Sequence, residues 1–359
     1  MVKRHGEPDP KASSSVQGDS YPHRVGNHDE RGKQSTDATD AEASDRYSGH
    51  TSTKSLVGSV LDDPIEHGRR YHGLGRDGYF LPNDEQEQTR LNILHQMYLL
   101  LLDGELTLAP LPAAPERILD IGTGTGEWAI GMAELYPFAD VTGTDISAIQ
   151  PDAVPSNVFF EVDDAEGEWT FSATYDLIHI RNLAGAFKDW PAIYRECYRH
   201  LKPGGYLEVI DTEHIQMAAS SPNSYITIFV SALREAADKA GRPWGTEHLK
   251  RSMFEAAGFR DIVSVTKKVP VGPWPTDPIR KTIGKMWLIG LMEAAEGGSL
   301  RLLTRELDWK AEDVLDLCEK TKAALKERTM RMETPMKFVV ARKPLSDTTG
   351  ATTPTTMED

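Results

Sequence analysis

Arg117–Trp128 reads RILDIGTGTGEW, and this stretch decides the fold. The close run of apolar residues over Ile118–Ile121 suits a parallel strand covered on both faces. Gly122, Gly124 and Gly126 follow at every second position. Without a Cβ they let the backbone turn tightly and come closer to a ligand than other residues allow. A helix starting at Glu127 then aims unpaired N–H groups and a positive dipole end at that ligand. Strand, glycine turn and helix in this order predict a doubly wound α/β domain of Rossmann-like type, mostly parallel, with its ligand at the carboxyl ends of the strands.

The acids around the turn indicate which ligand. The spacing is G-x-G-x-G, not the dinucleotide pattern G-x-G-x-x-G, and Asp120 stands two residues before Gly122. A carboxylate there repels a diphosphate and attracts an ammonium group. Asp145 closes the next strand, VTGTD, roughly 20 residues on, where such sheets place the acid that binds a ribose diol. Ribose, a cation and no phosphate point to S-adenosylmethionine. The competing reading is a structural glycine turn in an unrelated α/β protein; the diol acid and the later strands oppose it.

Composition sets limits. The chain has 359 residues and a formal net charge of −15, which argues against direct nucleic-acid binding by phosphate neutralisation. No apolar run approaches a membrane span, and the start, MVKRHGEPDP, carries no secretory signal. Cys197 and Cys318 lie far apart in helical patterns. They suggest neither a disulfide nor a metal site, and a reducing compartment, cytoplasm or nucleus, fits.

Residues 1–63 are polar and contain no Phe or Trp, so they read as a disordered tail. Residues 64–112 read as a helical lid segment. Asn83 and Gln86 form a capping-box-like start to a helix over Glu85–Leu102. Its role is to cover the pocket, with Arg90 or Tyr79 as a further option against the methionyl carboxylate. Residues 113–215 read as the cofactor-binding core. Val158–Val162 is a strand ending in Asp163-Asp164-Ala165, beside the adenine. Asp164 is preferred over Asp163 as acceptor for the exocyclic amine, with the Ala165 N–H near a ring nitrogen. Tyr175–Ile180 and Tyr206–Ile210 are further strands, separated by a helix from Trp190 and a Lys202–Gly205 turn. In residues 216–343, helices and two antiparallel edge strands near 262–269 and 336–341 cover the pocket mouth. A helix over Glu247–Ala257 is capped by Thr246. Residues 344–359 read as a second loose tail.

Strand-GxGxG-helix, the acid at the second strand, Asp-Ala after the third and LKPGGYLEV before the fifth together resemble the class I methyltransferases, over about Arg117–Asp211. More of the chain, including YHGLGRDGYFLPNDEQEQTRLNILHQ and YDLIHIRNLAGAFKDWPAIYRECYRHLKPGG, resembles the fungal LaeA-like family. That family is associated with secondary metabolism, through a nuclear regulator and through cluster-encoded methyltransferases. The resemblance implies a seven-stranded sheet with an antiparallel edge, and S-adenosylmethionine as cofactor. Two positions depart from the regulator branch. Thr123 stands where that branch has a cysteine, and Lys202-Pro203-Gly204-Gly205 where it has Arg-Pro-Gly-Ala. The departures favour an enzyme acting on a small molecule, with a regulator that has a protein partner as the alternative.

His179, late in the fourth strand, and His214, past the fifth, are the candidate general bases. A strand histidine is more often a hydrogen-bonded core residue, and His214 fits a surface loop equally well. Arg181 is set to hold an acidic substrate or to pair with a nearby acid.

Overall fold

The computed structural model describes residues 63–74, 79–216 and 224–345. The two polar tails fall almost wholly outside the described residues. A short ribbon, Ile65–Glu66 against Arg69–Arg70, leads into helix α1, Glu85–Leu101. Asp84, not Asn83, caps this helix by accepting from the Glu87 N–H at 3.1 Å. Asn83 is diverted elsewhere: its Nδ2 donates to Asp63 at 2.7 Å and to Ser147 at 3.3 Å.

Seven strands form one sheet: β1 Arg117–Ile121, β2 Asp140–Asp145, β3 Val158–Val162, β4 Tyr175–Arg181, β5 Leu201–Thr212, β6 Arg260–Pro270 and β7 Glu333–Arg342. Their spatial order is β3-β2-β1-β4-β5-β7-β6, parallel from β3 to β5, with β7 antiparallel to both β5 and β6. Lys202–Gly205 forms an irregular opening of β5, not a separate turn. The strand order reverses between β1 and β4, which opens a crevice at their carboxyl ends.

Both faces of the sheet are covered, as the apolar strands require. On one face Ile118, Val141 and Leu177 pack under Trp128 and Met132 of helix α2, Glu127–Leu135. On the other, Leu119, Ile121, Ile178 and Val209 meet Ile193, Tyr194 and Cys197 of α3, Trp190–His200. Phe254 of α5, Arg251–Ala256, joins that cluster. Helix α5 follows a separate 3-10 turn, Glu247–Leu249, and Thr246 caps neither, because its hydroxyl is turned to Glu213 at 3.4 Å. Between β6 and β7 the chain forms α6, Pro278–Gly297, α7, Leu300–Glu306, and α8, Ala311–Leu325; α4, Tyr225–Lys239, packs with α7 and α8. Helix α6 lies along α1, where Trp287 shares a cluster with Leu94 and Tyr98. Among the described residues, no helix is long and apolar enough to cross a membrane.

Gly126, the residue before α2, has φ +80°, and a Cβ there would stand 2.4 Å from the Phe160 ring. Left-handed backbone at a non-glycine residue costs about 1–3 kcal/mol before any displacement of the ring. Gly126→Ala is therefore expected to lower stability by at least that amount. Urea unfolding should show a lower midpoint at unchanged slope; an unchanged midpoint would refute this account of the turn.

Candidate active site

The glycine turn is built by three constraints. Gly122, Gly124 and Gly126 all have positive φ, 66°, 58° and 80°. The Thr123 N–H donates to Thr144 O at 2.9 Å, and the Gly124 N–H donates to Asp145 Oδ2 at 2.8 Å. A Cβ on Gly122 would lie 2.7 Å from Leu183, which follows β4. The turn is thus fixed between the tips of β2 and β4, its backbone open to the crevice.

That crevice is a cleft enclosing about 1330 Å³ of empty space, open mouth included. Its walls come from α1, the glycine turn, the ends of β2, β3 and β4, and the segment after β4. Among the described residues seven acids line it, Glu87, Asp120, Glu127, Asp145, Asp163, Asp164 and Glu166, against three arginines, Arg90, Arg181 and Arg242. Such a surface attracts a cationic ligand and repels a phosphate-bearing one. A sulfonium nucleoside fits both this charge and the glycine cradle.

Asp145 is half-buried at the end of β2 and accepts backbone N–H bonds from Gly124 at 2.8 Å and Ser147 at 2.9 Å. Burial nevertheless pushes its carboxyl up to about 6. Asp164 and Ala165 line the cleft beyond β3; Asp164 Oδ1 accepts the Glu166 N–H at 2.9 Å, and the Ala165 carbonyl takes the Trp169 indole N–H at 2.9 Å.

Asp120 borders the cleft from below, only 3 % exposed. Its Oδ1 accepts from His179 Nδ1 at 2.7 Å and its Oδ2 from the Thr123 hydroxyl at 2.7 Å. His179 is fully buried and lies flat against Trp128, ring centroids 3.7 Å apart and planes 5° apart. Cross-strand pairing continues the row from His179 to Glu208, which accepts from the Thr107 hydroxyl and the Leu108 N–H, both at 2.7 Å.

These positions correct both anticipated bases. His179 does not line the cleft, because its strand position turns it under Trp128. His214 does not line it either: past β5 it is packed edge-on against Trp244, centroids 5.7 Å apart. The histidines that do reach the cleft are His72 and His95. Both His72 nitrogens face carbonyl oxygens, and burial pushes His95 down to about 4, with Arg181 adding to the effect. Arg90, one option for the methionyl carboxylate, is gripped by Glu87 in a two-point pair at 2.5 and 2.8 Å. The i,i+3 spacing of Glu87 and Arg90 was the available sequence signal for this pair. Among the described residues beyond β5, Arg242 is the one that lines the cleft, and α6 packs against α1.

Comparison with known proteins gives the family. A family model described as a methyltransferase domain matches residues 93–264. The methyltransferase pytC of Aspergillus terreus is 38% identical over 302 residues, 82% of this chain and 92% of that protein. The secondary metabolism regulator LAE1 of Cochliobolus heterostrophus is 40% identical over 254 residues, 68% of this chain and 83% of that protein. The protein-methionine methyltransferase laeA of Emericella nidulans is 33% identical over 288 residues, 78% of this chain and 76% of that protein. Identity of this order across most of each chain, on a seven-stranded sheet with a glycine cradle and an acidic cleft, places the chain in the fungal LaeA-like family of S-adenosylmethionine-dependent methyltransferases.

Proposed function

We propose that this protein transfers the methyl group of S-adenosylmethionine to a small-molecule acceptor of fungal secondary metabolism. In this reading the backbone of Gly122, Gly124 and Gly126 cradles the cofactor and Asp145 takes the ribose hydroxyls. Asp164 and the Ala165 N–H take the adenine edge, and Asp120 answers the methionyl ammonium. The observation that carries the proposal is the acidic cleft over a glycine cradle, at the point where the strand order reverses.

Bound S-adenosylmethionine supplies a methyl group on a sulfonium whose leaving group is a neutral thioether. The chain must therefore bind, align and exclude water, and alignment alone is worth on the order of 7–11 kcal/mol in favourable cases. Leu91 and Leu94 of α1, with Leu183 and Phe187 after β4, provide the apolar part of the wall. Of the two histidines that reach the cleft among the described residues, His72 faces carbonyls on both sides and burial holds His95 down to about 4, so neither is favoured as a general base. We assign the rate chiefly to positioning.

A second reading, a regulator of secondary metabolism acting in the nucleus with a protein partner, is favoured by the 40% identity to LAE1. The Thr123 and Lys202–Gly205 departures do not decide between them, since pytC and LAE1 are about equally similar to this chain. Metabolite extracts from a deletion strain and its parent separate the two. Loss of one methyl mass supports the enzyme reading; broad change across many metabolites supports the regulator.

Asp145→Ala is expected to weaken cofactor binding by about 10- to 100-fold, the worth of one hydrogen bond to a charged group. Calorimetry reads the affinity, and a retained far-UV spectrum shows that the fold survives. The carboxyl of Asp145 must be ionised to accept both ribose hydroxyls. Wild-type affinity should therefore hold above pH 6 and fall below it, by at most about tenfold per pH unit; Asp145→Ala should lose this dependence. Equal affinity in the variant would remove the ribose assignment. For the base question, His214→Ala should leave the pH–rate profile unchanged, and a lost limb would return His214 to the mechanism.

A further inference from the structure

Arg181 closes β4 and lines the cleft on the side of α1. Ile180 pairs with Ile121, so Arg181 stands level with the start of the glycine turn. Its guanidinium lies 4.8 Å over the Tyr98 ring, and Nη2 approaches His95 Nδ1 at 3.4 Å. Tyr98 is itself fixed, its hydroxyl donating to Asn182 Oδ1 at 2.7 Å. Neither neighbour supplies a negative charge. Burial pushes the Tyr98 phenol up, and His95 is held down to about 4.

The other two arginines of the cleft are neutralised. Arg90 is held by Glu87 through two hydrogen bonds, and Arg242 ion-pairs with Glu166 at 2.7 Å. Among the described residues Arg181 alone of the three makes no hydrogen bond or salt bridge to a carboxylate; Asp120 and Glu208 act on it only through space. A guanidinium carries five N–H donors in a planar fork that matches a carboxylate. Stacked on a ring and touched at one nitrogen, the Arg181 fork keeps most of those donors for a ligand. A buried guanidinium without a direct carboxylate partner gains a charge-assisted pair when an anionic group arrives with the ligand.

We propose that Arg181 receives the α-carboxylate at the methionyl end of S-adenosylmethionine, with Asp120 on the adjacent strand answering the ammonium. The two side chains then form an acid–base pair that complements the amino-acid zwitterion, a role for which Arg90 is already spent on Glu87. This inference rests on the cofactor reading above. It makes Arg181 the residue that tells S-adenosylmethionine from adenosyl compounds lacking the carboxylate.

The test is calorimetric titration of the full chain with S-adenosylmethionine and with decarboxylated S-adenosylmethionine, which differ only in that group. Wild type should prefer the former by about 10- to 100-fold, the range for a hydrogen-bonded charge pair. Arg181→Gln should bring the two affinities close to parity by weakening S-adenosylmethionine alone, and Arg181→Lys should keep part of the preference. Should Arg181→Gln fail to fold, the wild-type ratio and Arg181→Lys still decide. Equal wild-type affinity for the two compounds, or a full preference retained in Arg181→Gln, would overturn the assignment while leaving the cofactor reading standing. Binding of neither compound would defeat both.

Discussion

The cleft depends on a hydrogen bond made below it, from His179 Nδ1 to Asp120 Oδ1 at 2.7 Å. The two residues face each other across β1 and β4, and Trp128 at the start of α2 closes over the imidazole. One contact thus joins the two strands at the reversal of strand order to the helix that follows the glycine turn. Removing one partner of a buried hydrogen bond leaves the other unsatisfied and costs about 1–3 kcal/mol or more. The second Asp120 oxygen holds Thr123 inside the turn itself. A carboxylate that looks from the sequence like a ligand contact is therefore also the post on which the cradle stands.

The electrostatics of the cleft follow from which charges are already answered. Glu87 neutralises Arg90, and Glu166 neutralises Arg242. What remains facing the interior is an excess of carboxylates and the single guanidinium of Arg181. A ligand that matches must bring positive charge to most of the surface and one anionic group to one corner. The balance disfavours a dinucleotide and accommodates a sulfonium nucleoside with an amino-acid end.

Support around this centre is indirect. Helix α1 provides the wall over the glycine turn, and α6 packs along its outer side through Trp287. Trp287 in turn donates its indole N–H to Thr334 on β7 at 2.8 Å. The C-terminal third of the chain thus fixes the lid to the antiparallel edge of the sheet while contributing almost nothing to the cleft lining. Variation in α6–α8 can alter lid position without touching a reacting group.

The sheet and the cradle are legible in the residues alone, because both rest on short-range patterns. Apolar runs at Ile118–Ile121 and Leu177–Ile180 mark covered strands, and G-x-G-x-G forces a turn that other residues would strain. The sequence also placed Asp145, Asp164 and Ala165 at strand ends, where they line the cleft. What the histidines and arginines do emerges with the fold, since it depends on partners far away in the chain. His179 lies 59 residues from Asp120 and His95 86 residues from Arg181. Nothing in the local pattern tells that one imidazole is sealed beneath an indole while the other lines the pocket. The same holds for His214, whose neighbour Trp244 removes it from the cleft, and for the C-terminal helices. Strand and turn geometry is dictated locally by backbone sterics and burial, whereas the charge left over in a cleft is a sum over contacts that exist only once the chain has closed.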